Sequence, residues 1–290
     1  MDDNFLNGEG PRGDAGEIDL LYDLLRLDER LLIDAFKKRN IPIRLVDVED
    51  LAAPDGFGRV GLVRVAGRSK VLPLAHTYES SGGISINSAS SLYISHDKYL
   101  TYLALRRAGV PTPRTYLAFG LDAALKAAES LGYPVIVKPL DGSWGRLVNL
   151  AKSQEDLVSI ISHKRHLEPS MQEFLVQEYV EKPGRDIRVT VVEGRAVAAI
   201  YRYAAGDWRT NTARGGRAEP VRIDQELEDI SAKAAEAVGA LYAGVDVVES
   251  REGYKVLEVN GVPEFKNVQR VTGVDVAGAI VEALLHFLRS

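Results

Sequence analysis

Two apolar strands that carry acids leave a chain few ways to fold. From residue 242 the sequence runs Tyr-Ala-Gly-Val-Asp-Val-Val-Glu-Ser, turns at Arg251-Glu252-Gly253, and continues Tyr-Lys-Val-Leu-Glu-Val-Asn to residue 260. Val245, Val247, Val248, Val256 and Leu257 mark both arms as buried strands, and Gly253 suits the left-handed position of a three-residue hairpin loop. Pairing Ser250 with Tyr254 sets Asp246 across from Glu258 on one face, and Asn260, two residues on, shares that face. Two carboxylates and an amide oxygen converging there repel one another without a cation. An all-oxygen set selects Mg2+ or Mn2+ and leaves coordination positions for phosphate. A solvent-facing acidic hairpin does not fit the valines between the acids.

Three further patches carry polar chemistry. Val135-Ile136-Val137-Lys138 ends an apolar strand in an ammonium that needs a polar partner. The loop after it, Asp141-Gly142-Ser143-Trp144-Gly145-Arg146, has glycines that let backbone N–H groups approach an anion, so the pair reads as a phosphate clamp with Trp144 at its tip. Gln177-Glu178-Tyr179-Val180 runs into Glu181-Lys182-Pro183-Gly184 and resumes at Arg185-Asp186-Ile187-Arg188, a break that offers amides to a purine and an acid to a ribose. The stretch 207–217 carries Arg209, Arg214 and Arg217 beside Asn211 and two glycines, and arginine forks recognise phosphate and carboxylate bidentately.

Composition narrows the alternatives. With 290 residues, no cysteine and a formal charge of −5, the chain is too acidic for a dedicated nucleic-acid binder and lacks thiolate and disulfide chemistry. His163 and His166 read as a solvated helix end rather than metal ligands. GxxxxGK[ST], GxSxG and HExxH are all missing. No leader or spanning segment is expected, and the chain reads as soluble and cytoplasmic.

Periodicity predicts an α/β (α+β) chain. Residues 18–22, a helix through Leu27, Leu31, Leu32, Ala35 and Phe36, and residues 41–46 form a β-α-β opening. Residues 59–65 and 70–74 are expected as further strands, and the Ser- and Gly-rich stretch 78–91 as a loop or linker. Ser95 is expected to cap a helix through Leu105, Asp122 to start one that Gly132 stops, and Ser153 with Asp156 to start one through His166. Asp224 is expected to cap an Ala-rich helix to about Ala240, and Asp275 to open the last one. Strands are expected over 134–138, 174–180, 187–193 and 195–203, the last two joined at Glu193-Gly194. The expected divisions are a tail over 1–16, a small N-terminal α/β domain over 17–92, a central subdomain over 93–176 and a metal-bearing C-terminal subdomain over 177–290.

In this order Asp97-Lys98, Lys138 with Gly142-Ser143-Trp144-Gly145-Arg146, Gln177-Glu178-Tyr179, Gly184-Arg185-Asp186-Ile187-Arg188, Asn211-Thr212-Ala213-Arg214-Gly215-Gly216 and Glu258-Val259-Asn260 resemble the RimK-related branch of the ATP-grasp superfamily. The Ser-Trp-Gly-Arg loop, the Asn-Thr-Ala-Arg-Gly-Gly run and Glu264-Phe265-Lys266-Asn267 are similar to the LysX/ArgX-type ligases of carrier-protein-dependent lysine and arginine biosynthesis. Residues 71–83 carry no lysine or arginine, a departure from the family pattern.

The resemblance implies an ATP-grasp fold behind a small pre-ATP-grasp domain. It implies that Lys98, Lys138, Gly142, Ser143 and Trp144 bind nucleotide phosphates, that Gln177, Glu178, Tyr179 and Val180 frame adenine, and that Asp186 holds ribose. Asp246, Glu258 and Asn260 would hold two Mg2+, or Mn2+. Arg188, Arg202, Asn211 and Arg214 would line the phosphate and acyl site, the last three as the catalytic group. Arg209, Arg217, Gly261, Val262 and Asn267 would border the substrates.

The implied activity is ADP-forming amide synthesis. It joins the α-amine of glutamate or 2-aminoadipate to the terminal Glu γ-carboxyl of a small acidic LysW-type carrier protein, through an acyl phosphate. The Gly261-Val262-Pro263 run leans to glutamate, and a homo-oligomer without nucleic-acid or membrane partners is expected. A RimK-like glutamyl ligase acting on a protein tail or a cofactor is the alternative. A non-catalytic nucleotide-binding regulator is disfavoured by the full Asp246, Glu258 and Asn260 set.

Overall fold

The computed structural model describes residues 18–52, 57–140, 147–167, 173–203 and 217–289. The expected tail over 1–16, the Gly142-Ser143-Trp144 loop, Arg209, Asn211 and Arg214 lie outside the described residues.

The chain opens as predicted. β1 (Ile18–Tyr22), α1 (Leu27–Lys38) and β2 (Ile43–Asp47) make a parallel β-α-β unit. β3 (Val60–Arg64), α2 (Arg68–Ser80) and β4 (Ile84–Ile86) extend it to a parallel sheet of order β2-β1-β3-β4. Two expectations are corrected here. Residues 70–74 are helix rather than strand, because the buried positions Val71, Ala75 and Tyr78 recur at helical spacing over a longer window than those five residues. The stretch expected as a linker holds the end of α2, β4 and the start of α3 (Ala89–Ser95), which Ser88 caps by accepting from the Ser91 N–H. The Tyr78 ring fits only because Gly61 and Gly83 flank it, since a Cβ would lie 2.7 Å from the ring at Gly61 and 2.6 Å at Gly83.

α4 (Lys98–Arg107) starts at Asp97, not at the predicted Ser95. The Asp97 carboxylate accepts from the N–H groups of Tyr99 at 2.9 Å and Leu100 at 3.0 Å, while Ser95 closes the preceding helix. β5 (Thr115–Ala118), α5 (Leu121–Leu131), β6 (Val135–Lys138), β7 (Asn149–Ala151), α6 (Gln154–Leu167) and β8 (Phe174–Glu178) follow. Their strands form an antiparallel sheet of order β5-β8-β6-β7. α5 and α6 cover one face through Ala124, Ala128, Leu157 and Ile161, which meet Val135, Val137, Phe174 and Val176. Strand alternation turns Lys138 and Gln177 to the face opposite α5 and α6.

β9 (Arg185–Val192) and β10 (Arg195–Tyr203) form the predicted hairpin, with Glu193 and Gly194 both at positive φ in a two-residue turn. β11 (Ala218–Pro220), α7 (Gln225–Ala237), β12 (Tyr242–Ser250), β13 (Gly253–Asn260), α8 (Lys266–Thr272) and α9 (Val276–Phe287) complete the chain, in a sheet of order β11-β10-β9-β12-β13. Ile187, Val189, Val245, Val247 and Val259 bury one sheet face under α7 and under Ala104 and Leu105 of α4. On the other face Val192, Ala198, Ile200 and Tyr242 join α1, α8, α9 and the first sheet in one core. The remainder of that second face holds the charged residues described below. Among the described residues no helix is long and apolar enough to cross a membrane.

Replacing Gly61 by alanine drives a methyl group into a buried ring whose hydroxyl is fixed on Asp19 at 2.7 Å. The expected cost is about 1–3 kcal/mol of overpacking, read as a lower urea midpoint with an unchanged m value.

Candidate active site

The metal hairpin reaches its register by a different route from the one predicted. The loop holds two residues, Ser250 pairs with Gly253, and Val247 pairs with Val256. An uninterrupted ladder would then set Asp246 against Leu257. A one-residue bulge leaves Leu257 unmatched and restores Asp246 to Glu258, with Gly244 against Asn260. The bulge therefore turns Glu258 and Asn260 onto the face of Asp246.

That face carries a row of charges across three strands. Arg202 on β10 pairs in register with Asp186 on β9, and Arg188 on β9 with Asp246 on β12. Arg202 forks onto Asp186 at 2.7 and 2.9 Å and also reaches Asp246 at 3.0 Å. Arg188 donates through Nε and Nη2 to the two oxygens of Asp246, the second at 3.0 Å. Burial alone would raise the Asp246 carboxyl, but Arg188 and Arg202 outweigh it and hold it below the usual carboxylate range. Burial alone would lower Arg202, but Asp246 and Asp186 keep it above its ordinary value. Gly244 makes room for this packing, since a Cβ there would lie 2.9 Å from both Arg188 Nη1 and Pro263 Cβ.

Lys138 comes from the central sheet and is 8% exposed. Its Nζ donates to Gln177 Oε1 at 3.1 Å, and Gln177 Nε2 donates to Thr115 Oγ1 at 2.7 Å. Burial pushes the ammonium down to about 8, Glu258 opposes that shift, and Lys98 adds to it. The predicted phosphate lysines and a predicted metal carboxylate thus share one electrostatic neighbourhood. Lys98 opens α4, its N–H donates to the Leu140 carbonyl at 3.0 Å, and Arg68 holds the capping Asp97 at 3.3 Å.

The Gln177 side chain positions Lys138, and the Glu178 carboxylate is taken by Arg114 at 2.8 Å and Lys255 at 3.2 Å. Burial alone would raise Glu178, and those two cations hold it low. β8 ends at Glu178, so Tyr179 and Val180 lie beyond its ladder. Asp186 is bound to Arg202, which also reaches Asp246.

Arg217 is not brought to this row. Its guanidinium lies 5.7 Å from the Tyr203 ring and pairs with Glu219. Tyr203 adjoins Arg202 in β10 and therefore points to the opposite sheet face. Gly261 is buried, Val262 packs against the core of the first sheet, and Asn267 is half-buried in the first turn of α8. Sequence reading assigned no role to Lys182, Thr115 or Gly244. Lys182 lies near Asp186, Arg202 and Asp246, and burial and Arg202 lower it despite the two acids. Its place four residues before Asp186 was the available signal.

The donor set fits a hard cation. Among the described residues no three His, Cys, Asp or Glu side chains gather closely enough to hold an ion. The Asn260 amide and phosphate oxygens would complete a set begun by Asp246 and Glu258.

A buried lysine near a sheet face of oxygen donors suits nucleotide phosphates and a hard cation. Residues 95–284 match the RimK-like ATP-grasp domain, and the chain belongs to that family; it is an ATP-grasp ligase, and ligases of this fold form amide bonds. It is 34% identical over 280 residues, covering 93% of this chain and 98% of the relative, to the alpha-aminoadipate–LysW ligase LysX of Sulfurisphaera tokodaii. It is 35% identical over 269 residues, covering 90% and 95%, to the glutamate–LysW ligase ArgX of Sulfolobus acidocaldarius. The solved structure of the ATP-grasp ligase PsnB complexed with a precursor variant, Mg and ADP shares the fold, with a TM-score of 0.69, 19% identity and coverage of 94% and 98%.

A phosphate ligand must find Lys138 protonated. With its ammonium near 8, nucleotide binding at pH 8 is expected to take up about half a proton, and the Lys138→Met variant none. Calorimetric titration with ADP and Mg2+ in two buffers of different ionisation enthalpy measures this.

Proposed function

We propose that this chain joins the α-amino group of glutamate to the γ-carboxyl of the C-terminal Glu of a small acidic LysW-type carrier protein, with ATP converted to ADP through an acyl phosphate. The reading is supported by relatives named for LysW ligation that match more than nine-tenths of the chain. The observation that carries the chemistry is the bulge that sets Glu258 and Asn260 beside Asp246, within the field of Lys138.

Asp246, Glu258 and Asn260 would hold two Mg2+, which would neutralise phosphate charge and orient the γ-phosphoryl group. Lys138 and Lys98 bind the phosphate chain, with Gln177 keeping the Lys138 ammonium aimed. The backbone of Tyr179 and Val180 receives adenine. Arg188 lies on Asp246 and, with Arg202 and Lys182, keeps positive potential where the carboxylate of the carrier meets the γ-phosphorus. Arg214 and Asn211 are assigned to the oxyanion formed when the amine attacks the acyl phosphate. The arginines at 209 and 214 attract an acidic tail to an otherwise negative protein.

The Glu258→Gln variant is expected to stay folded, with an unchanged far-UV spectrum, and to lose ATP-dependent ligation by at least about a thousandfold. Mass spectrometry of the carrier after incubation with ATP and Mg2+ checks this. Near-normal turnover removes the metal assignment, and ligation that is independent of the carrier favours a RimK-like glutamyl ligase instead.

The preference for glutamate over 2-aminoadipate rests on the family resemblance, in which a run like Gly261-Val262-Pro263 looks like the glutamate-using branch, and this run offers no side-chain donor. The Lys266 ammonium is also already paired, with Asp28 and Glu264, each at 3.3 Å. One methylene is worth about 1–3 kcal/mol. The expected kcat/KM ratio in parallel assays is therefore about tenfold or more in favour of glutamate, and a preference for 2-aminoadipate reverses the assignment.

A further inference from the structure

Residues 261–266 leave β13 directly after Asn260 and lead into α8. Their backbone is held by three buried side chains from the beginning of the chain. Asn87, 1% exposed, donates from Nδ2 to the Gly261 carbonyl at 2.7 Å and the Tyr242 carbonyl at 2.8 Å, and its Oδ1 accepts from the Leu241 N–H at 2.7 Å. Arg64 donates from Nη1 to the Pro263 carbonyl at 3.0 Å, while its Nε is fixed on Glu29 at 3.1 Å. Asp28 accepts with Oδ1 from the N–H groups of Phe265 at 2.7 Å and Lys266 at 2.8 Å. α8 has no side-chain cap of its own, so Asp28, 237 positions earlier, supplies one.

The turn is also gripped sterically. A Cβ on Gly261 would lie 2.5 Å from Ser95 Oγ, and Pro263 packs over Gly244 beside Arg188. Burying Asp28, Glu29 and Arg64 costs desolvation that an apolar contact would avoid. Asp28 and Arg64 both bond to one six-residue turn bordering Asp246 and Asn260, and Glu29, which also accepts from the Arg26 N–H at 3.0 Å, holds Arg64 in place.

We propose that Asp28, Arg64 and Asn87 are positioning residues for the amine-bearing substrate, fixing the backbone of residues 261–266 as the wall of its subsite. The first sheet and α1 then set the geometry of amine attack without touching the nucleotide. This rests on the reading of the chain as an amino-acid ligase.

Asp28→Ala removes both acceptor oxygens, whereas Asp28→Asn keeps one for the Phe265 and Lys266 amides. Arg64→Lys keeps the charge beside Glu29 but cannot hold Glu29 and Pro263 together. Initial rates of ADP release are measured with whichever amine the wild-type chain ligates. The KM for that amine is expected to rise about tenfold or more in Asp28→Ala and Arg64→Lys, with the KM for ATP within about twofold of wild type and Asp28→Asn restored to within about threefold. An unchanged amine KM, or equal rises for amine and ATP, overturns the proposal. Arg64→Lys decides the question if Asp28→Ala does not fold. A wild-type chain that ligates neither glutamate nor 2-aminoadipate counts against the substrate reading alone, because the variants are then compared with the amine it does take.

Discussion

Moving a carboxylate out of water costs several kcal/mol even after relaxation, and Asp246 is 6% exposed. The charge survives there because Arg188 and Arg202 both reach it. Each arginine stands where it does because β9 lies between β10 and β12 in the sheet. Removing one partner of such a buried set leaves an uncompensated charge, typically worth about 3–5 kcal/mol. Fold and site are therefore coupled at this residue. The strand order makes the charge tolerable.

α7 and α4 close the opposite face of the same sheet, and α5 and α6 close the outer face of the central one. Asp246 shares its face with the residues that pack under α1, α8 and α9, and Lys138 lies on the face opposite α5 and α6. Glu258 on β13 and Lys98 on α4 act in opposite directions on the Lys138 ammonium of the central sheet.

Much of the secondary structure was legible because its signals are local. Asp224 and Asp275 cap the helices predicted from them, and Glu193-Gly194 turns the predicted hairpin. Failures came where the deciding partner is distant in sequence. α8 was unread because its cap is Asp28, far away in the chain. α2 was misread because five residues cannot distinguish a buried helix from a strand. The Asp246–Glu258 pairing was right in outcome, but the predicted three-residue loop is a two-residue loop plus a bulge at Leu257. Arg217 joined an arginine-rich stretch in sequence and yet stacks on Tyr203 across the sheet from Arg202.

By itself the sequence determined which residue types were available: an acid pair and amide on adjoining strands, a lysine ending an apolar strand, and turns whose glycines and aspartates act within a few positions. Those are short-range consequences of strand alternation, capping and backbone freedom. Only the tertiary structure decided how they combine. It gave Arg202 to Asp186 and Asp246, gave Gln177 to Lys138, and placed the turn after Asn260 in the hold of Asp28, Arg64 and Asn87. The reason is physical. A buried charge or an open helix end must find a partner in space, and the order of strands in the sheets, rather than the order of residues in the chain, determines which partner is within reach.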